Sequence, residues 1–263
     1  MDFHGIHLPD KDEPQTPGKK LSEGRNANVY EWGNDRVIKL FKSTYPSEKI
    51  TAEYYNALAV KNLGFNKSVV CELKKTEFGF GIIYKKIAGE NMLGYILRTG
   101  DLKGAATELA SLQKKINAFS FDSSKTEALE SAHQILKNQM LATQKADSDA
   151  TKEMIRFLGT MKEGNALCHG NLHPGNVLMT EDGVVALSAS GYCIGNKLYD
   201  VAKTFFLIAY TPVPGEQESS CCPGCRGISN VEERKEFGRY YLDAMGKTAT
   251  EIGGYLSMII AGM

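Results

Sequence analysis

The sequence predicts an α+β fold in two lobes: a β-rich N-terminal lobe with one helix, followed by a mainly helical C-terminal lobe. Three observations predict it. Short β-prone runs crowd residues 29–87. Apolar residues at helical spacing dominate from Gly89 onward. A lone pair of short strands, Val177–Met179 and Val184–Leu187, interrupts the helices around the turn Glu181-Asp182-Gly183. The expected organisation is an N-terminal arm over 1–18, a β-rich lobe over 19–88 and a helical lobe over 89–263.

Taken in order, Val29–Trp32 and Arg36–Phe41 flank Gly33-Asn34-Asp35, a hairpin signal. Pro46 opens a helix over Ser47–Asn62, with apolar residues at Ile50, Tyr54, Ala57, Leu58 and Val60. Val69–Leu73 and Phe78–Ile87 read as two further strands. Leu102–Phe119 is helical by its spacing at Ala106, Leu109, Leu112 and Ile116. Helices follow at about 125–145, 149–160, 198–210, 231–245 and 248–262. Residues 212–229, rich in Pro, Gly, Ser and Cys, read as a long loop.

Composition narrows the class. Of 263 residues, 42% are hydrophobic and 24% charged, which suits a globular chain. Formal net charge is zero, so no nucleic-acid footprint is expected. The longest apolar stretches are too short for a membrane span, and the polar N-terminus lacks a signal-peptide core, which makes the cytoplasm the expected location. Cys71, Cys168 and Cys193 read as isolated, reduced core residues. Cys221, Cys222 and Cys225 in Cys-Cys-Pro-Gly-Cys read as free thiols on a surface loop, since they supply at most half of a four-ligand zinc site; metal or redox use is the alternative.

The segment that carries chemistry is Leu167-Cys168-His169-Gly170-Asn171-Leu172-His173-Pro174-Gly175-Asn176. Kinase catalytic loops place an acid two residues after His and an Asn five residues after the acid. The acid accepts the proton of the attacking hydroxyl, and the Asn helps hold a metal ion. That frame is intact here, but position 171 is Asn. His169 and His173 have metal-ligand spacing, although a His in such a loop usually bonds structurally. Asp200 near a helix start reads as an N-cap that also braces this loop.

This segment resembles the catalytic loop of the aminoglycoside/choline phosphotransferase family, usually His-Gly-Asp-(Leu/Phe)-His-Pro-Gly-Asn, which implies a protein-kinase-like fold. Further likenesses run from about residue 20 to 250. Gly24 to Tyr30, including Asn28, resembles the nucleotide loop, and Lys39 stands where the phosphate-binding lysine of the third strand is expected. Glu53 on the next helix is placed to pair with Lys39. Tyr84 and Ile87 fall in the strand and hinge that would meet adenine. Gly195 to Ala202 resembles the helix start after the metal loop, which puts the main metal-binding acid at position 188, here Ser.

The resemblance implies ATP as nucleotide and a small-molecule hydroxyl compound as acceptor. The two neutral positions oppose it. Asn171 can orient a hydroxyl without taking its proton, a loss of about 10²–10⁴-fold. Asn176 and Ser188 would be the metal ligands, and a hydroxyl is a poor ligand for Mg2+. Two readings follow: a nucleotide-binding pseudokinase or strongly impaired kinase, and an active kinase with an altered metal site.

Overall fold

The computed structural model describes residues 16–24, 26–65, 69–122, 129–143, 146–210, 228 and 231–263. The strands β1 (Lys20–Glu23), β2 (Ala27–Trp32), β3 (Arg36–Phe41), β4 (Val70–Thr76) and β5 (Gly79–Lys85) form one antiparallel sheet in the order β1-β2-β3-β5-β4. Strand alternation gives the sheet two different faces. One carries Val29, Lys39 and Ile82 in cross-strand register and turns towards the main core. The other carries a small cluster of Trp32, Ile38 and Ile83, flanked by Tyr30 and Leu40. Helix α1 (Ser47–Asn62) follows β3, with Glu48 in its first turn and Lys61 in its last, both favourable to the helix dipole.

The expected arm falls mostly on residues outside the described ones. Its end joins the sheet one residue sooner than expected, since Gly18 N–H donates to Glu31 O at 2.9 Å.

The second half is helical: α2 (Met92–Thr99), α3 (Leu102–Ala118), α4 (Ala132–Leu141), α5 (Asp149–Thr160), α6 (Lys197–Ala209), α7 (Val231–Met245) and α8 (Ala249–Ala261). Side-chain caps start several of them. Asn91 caps α2, Asp101 caps α3, Ser131 caps α4 and Asn196 caps α6, while Thr248 and Glu251 make a capping box on α8. Asp200 is therefore not the cap of α6, as its position suggests; Asn196 accepts the Leu198 N–H at 2.9 Å, and Asp200 lies inside the first turn. The helix expected over 125–145 is shorter: it begins at Ala132 because Ser131 supplies the cap. Among the described residues, no helix is long and apolar enough to cross a membrane.

Two small ladders sit among the helices and hold the loops of interest. Strands β7 (Ala166–Cys168) and β10 (Cys193–Gly195) pair antiparallel. Strand β8 (Val177–Thr180) lies between β6 (Glu90–Asn91) and β9 (Gly183–Ala186). Cys168 and Cys193 are buried but not isolated: the ladder sets them directly opposite each other. Cys71 is exposed rather than in the core. Cys221, Cys222 and Cys225, with their loop, lie outside the described residues.

Candidate active site

The catalytic-loop segment runs from β7 through a tight turn at Gly170 into a single helical turn at Pro174–Asn176. Gly170 has φ 65°, and a Cβ there would lie 2.2 Å from Gly191 O. A Cβ on Gly191 would meet His169 O at 2.7 Å. Only glycine lets these two backbones approach so closely. The contact joins the catalytic loop to the segment carrying Ser188.

Buried Asp200 braces the loop from α6. Its Oδ1 accepts Gly170 N–H at 2.8 Å, and its Oδ2 accepts His169 N–H at 3.1 Å and Asn117 Nδ2 at 2.8 Å. Burial raises its pKa, and these hydrogen bonds pull against that shift. His169 is fully buried; its Nε2–H donates to Leu187 O at 3.1 Å, and its Nδ1 accepts the Asn171 N–H at 3.3 Å. Those partners require the neutral ring, and burial lowers its pKa to about 4. His173 uses Nδ1 to accept Gly175 N–H at 3.2 Å. Both imidazoles therefore hold backbone turns. Among the described residues, no group of three or more His, Cys, Asp or Glu could hold a metal ion.

Asn171, Asn176 and Ser188 come together in one hydrogen-bonded chain of neutral groups. Asn176 Nδ2 donates to Asn171 O at 3.0 Å, and Asn171 Nδ2 reaches Ser190 Oγ at 3.5 Å. Ser190 Oγ lies 3.1 Å from Ser188 Oγ. Ser188 is the one non-glycine residue with positive φ, 61°, among the described residues. Asn, Asp and Gly tolerate that conformation best, and Ser tolerates it less well.

In the sheet, Lys39 Nζ meets Glu53 Oε1 at 2.5 Å. The Glu53 side chain is 2% exposed and that of Lys39 22%, so one end of the pair is sealed and the other faces outward. Tyr84 is buried on the same side, and its pKa is raised well above the usual value by burial and then by the Glu53 charge. It thus backs the ion pair. Ile87 is half-buried in the connection from β5 to β6. Gly24 turns the chain between β1 and β2, donating its N–H to Ala27 O at 2.8 Å. Asn28 falls on the opposite face from Lys39, with Tyr30 and Leu40, because it pairs with Leu40 and not with Lys39. The residue opposite Lys39 is Val29.

Sequence reading passed over the neutral partner Ser190, the Gly170–Gly191 approach and the full set of Asp200 contacts. The two glycines in the sequence were their only local signal. An open groove of about 650 Å3 lies between the α2–α3 junction and the β8–β9 hairpin, lined by Tyr95, Asp101, Thr107 and Met179 among others. None of the candidate residues lines it.

A sheet with one helix set over a helical lobe, and a braced His-Gly-Asn loop between them, defines a protein-kinase-like two-lobed fold. Solved structures give that class its particular form. The chain superposes on the GDP and kanamycin complex of APH(2")-IIia with TM-score 0.58 and 16% identity, covering 95% of this chain and 84% of that one. It superposes on the aminoglycoside-3'-phosphotransferase of type VIII with TM-score 0.60 and 14% identity, covering 95% and 94%. A choline/ethanolamine kinase family protein from Mesorhizobium loti gives TM-score 0.51 and 13% identity over 95% and 76%. At these identities the shared property is the fold. No family model and no curated protein matches the sequence.

Proposed function

We propose that this chain is a member of the aminoglycoside/choline phosphotransferase family that binds a nucleotide such as ATP and transfers phosphate poorly or not at all. The observation that carries this reading is the neutral chain Asn176–Asn171–Ser190–Ser188, which includes the two positions, 171 and 188, where the family resemblance expects carboxylates. Nucleotide binding is supported by the Lys39–Glu53 pair, already formed and open on its lysine side. Lys39 would meet the phosphates. Asn171 would orient an acceptor hydroxyl, and its amide would leave the proton in place.

Asn176 and Ser188 are the residues that would hold Mg2+, and their fit is poor. A neutral amide oxygen and a hydroxyl offer no charge to a hard cation that prefers carboxylate oxygen. Nucleotide binding here accordingly depends more on Lys39 and on neutral donors than on a metal. The acceptor class is a small-molecule hydroxyl compound, by analogy with the kanamycin-bound and choline-kinase structures that share the fold. The proposed location is the cytoplasm.

A second reading is favoured by one observation: the catalytic loop is fully braced by Asp200 and its His frame is intact. Under it, the chain is an active kinase of a small-molecule hydroxyl using an altered metal site. Calorimetric titration with ATP, with and without Mg2+, and a turnover assay against a panel of hydroxyl compounds separate the two. Binding that survives chelation, without turnover, supports the first. Magnesium-dependent turnover overturns it in favour of the second, and absence of ATP and GTP binding defeats both.

A further inference from the structure

The two-stranded ladder β7–β10 sets Cys168 and Cys193 face to face. The neighbouring pair settles the kind of register. Ile194 N–H donates outward to Glu130 O at 3.0 Å, and Leu167 O accepts outward from Asn117 Nδ2 at 2.9 Å. Leu167 and Ile194 are therefore a non-hydrogen-bonded pair, and Cys168 and Cys193 form the adjacent hydrogen-bonded pair. Directly opposed residues of that kind have Cα atoms about 5.5 Å apart, within the Cα span of a disulfide, while their Cβ atoms are about 1 Å further apart than the roughly 3.8 Å usual across the bond, so the link requires a small inward shift of the two strands. Their side chains leave the ladder on the same face, and both are fully buried.

The position of the pair matters as much as its geometry. Cys168 immediately precedes His169, and Cys193 closes the segment that contains Ser188, Ser190 and Gly191. The ladder is thus the point where the two loops of the candidate site are held together. We infer that Cys168 and Cys193 form an oxidisable dithiol whose disulfide clamps the catalytic loop to the Ser188–Tyr192 segment. This goes beyond the nucleotide reading and does not depend on it.

The chemistry balances with a peroxide as oxidant. One thiol is oxidised to a sulfenic acid as the O–O bond breaks and one water leaves. The second thiol attacks that sulfur, the S–S bond forms and a second water leaves. Both S–H protons end in water, and the peroxide takes up the two electrons. In the closed ladder the thiols are protected. The contact with Cys193, burial and the charge of Asp200 together raise the Cys168 thiol well above its usual range, so little nucleophilic thiolate is present. Oxidation therefore proceeds through transient opening of the three-residue ladder.

The test uses the full chain with Cys71→Ser, Cys221→Ser, Cys222→Ser and Cys225→Ser, which leaves only the pair. The folded protein is incubated with hydrogen peroxide, unfolded in acid, alkylated and weighed intact. The expected product is 2 Da lighter, takes up no alkylating agent and yields one peptide linking Cys168 to Cys193. Its melting temperature is expected to rise by about 5 °C and to return on reduction, since the link closes a loop of roughly 25 residues. The same chain with Cys193→Ser added should show neither change. Two alkylated thiols after a treatment that links the urea-unfolded chain would overturn the inference. So would a linked form that melts no higher than the reduced one.

Discussion

Asp200 Oδ1 accepts the Gly170 N–H at 2.8 Å across 30 residues of sequence, from the first turn of α6 into the catalytic loop. The same carboxylate holds His169 N–H and Asn117 Nδ2, so one buried acid fixes the loop that presents Asn171. Asp200→Asn keeps the shape but turns an amide N–H2 towards a donor. Such a change at a buried acceptor should cost about 2–4 kcal/mol, read as a lower urea midpoint at unchanged slope. A midpoint equal to that of the unaltered chain would show that the loop is held by other contacts.

Lys39 and Glu53 offer a cleaner separation of binding from stability. Lys39→Ala should weaken ATP binding at least tenfold by calorimetry. It also strands Glu53 in the core and should destabilise by about 2–3 kcal/mol. Lys39→Met with Glu53→Gln removes both charges and should recover most of that stability while ATP affinity stays low. Unaltered affinity in both variants would remove Lys39 from the site.

Asn171→Asp combined with Ser188→Asp places two carboxylates where the neutral chain now runs. ATP binding should then strengthen on adding Mg2+, by about tenfold or more, from the charge supplied to a hard cation. The comparison is the Mg2+ dependence of the dissociation constant in the two proteins. Equal dependence would show that position 188 does not face the phosphates.

The backbone at Ser188 makes a second, independent prediction. At φ 61° a β-carbon is strained, and Gly or Asn suits the position better. Ser188→Asn and Ser188→Gly should each leave the fold intact and raise stability by about 0.5–1 kcal/mol in chemical denaturation. A loss of stability in both would show that the Ser188–Ser190 hydroxyl contact outweighs the strain.

Protonation of His169 opposes folding. Its folded pKa is about 4, below the ordinary 6.5, so the unfolded chain binds more protons between those values. The stability it contributes is complete above pH 6.5 and is lost as pH falls towards 4, by about 3 kcal/mol in all. His173 shifts in the same direction, whereas Asp200, raised by burial, pulls the opposite way at the acid end. His169→Gln should flatten the fall in melting temperature between pH 6.5 and 4 without abolishing it. An unchanged profile would mean that His169 is free to ionise in the folded protein.

Helix α1 was legible to the residue, because Pro46 starts it and its apolar positions recur on one face. The same holds for α5 and α7, whereas the Lys39–Glu53 pairing is expected from the family resemblance and is present as an ion pair. What escaped were elements that exist through distant partners. Strands β7 and β10 are three residues each and are defined by pairing across 25 positions. Strand β1 is exposed throughout and carries no alternation. Helix α2 carried a signal that went unread, from the Asn91 cap to the left-handed Gly100 at its end. Asn28 reads only as part of a loop that resembles a nucleotide loop, and its face, opposite to that of Lys39, is set by its pairing with Leu40. At the site, residue types could be read from the chain, but the φ of Ser188 and the opposition of Cys168 to Cys193 are properties of tertiary register.

The β6–β8 ladder has a mechanical consequence. Glu90 and Asn91 pair with Met179 and Leu178, and Asn91 Nδ2 also holds Gly175 O at 3.0 Å. The chain leaving the sheet is thereby stitched to the hairpin beyond the catalytic loop as soon as it arrives. Gly89 is packed so tightly against Met179 O that an added Cβ would lie 2.7 Å from it. Lys86 is still held to the sheet by its N–H to Asp35 O at 2.7 Å, so the covalent tether between the sheet and this anchored ladder is no longer than Ile87-Ala88-Gly89, and it leaves little slack between the two halves of the chain.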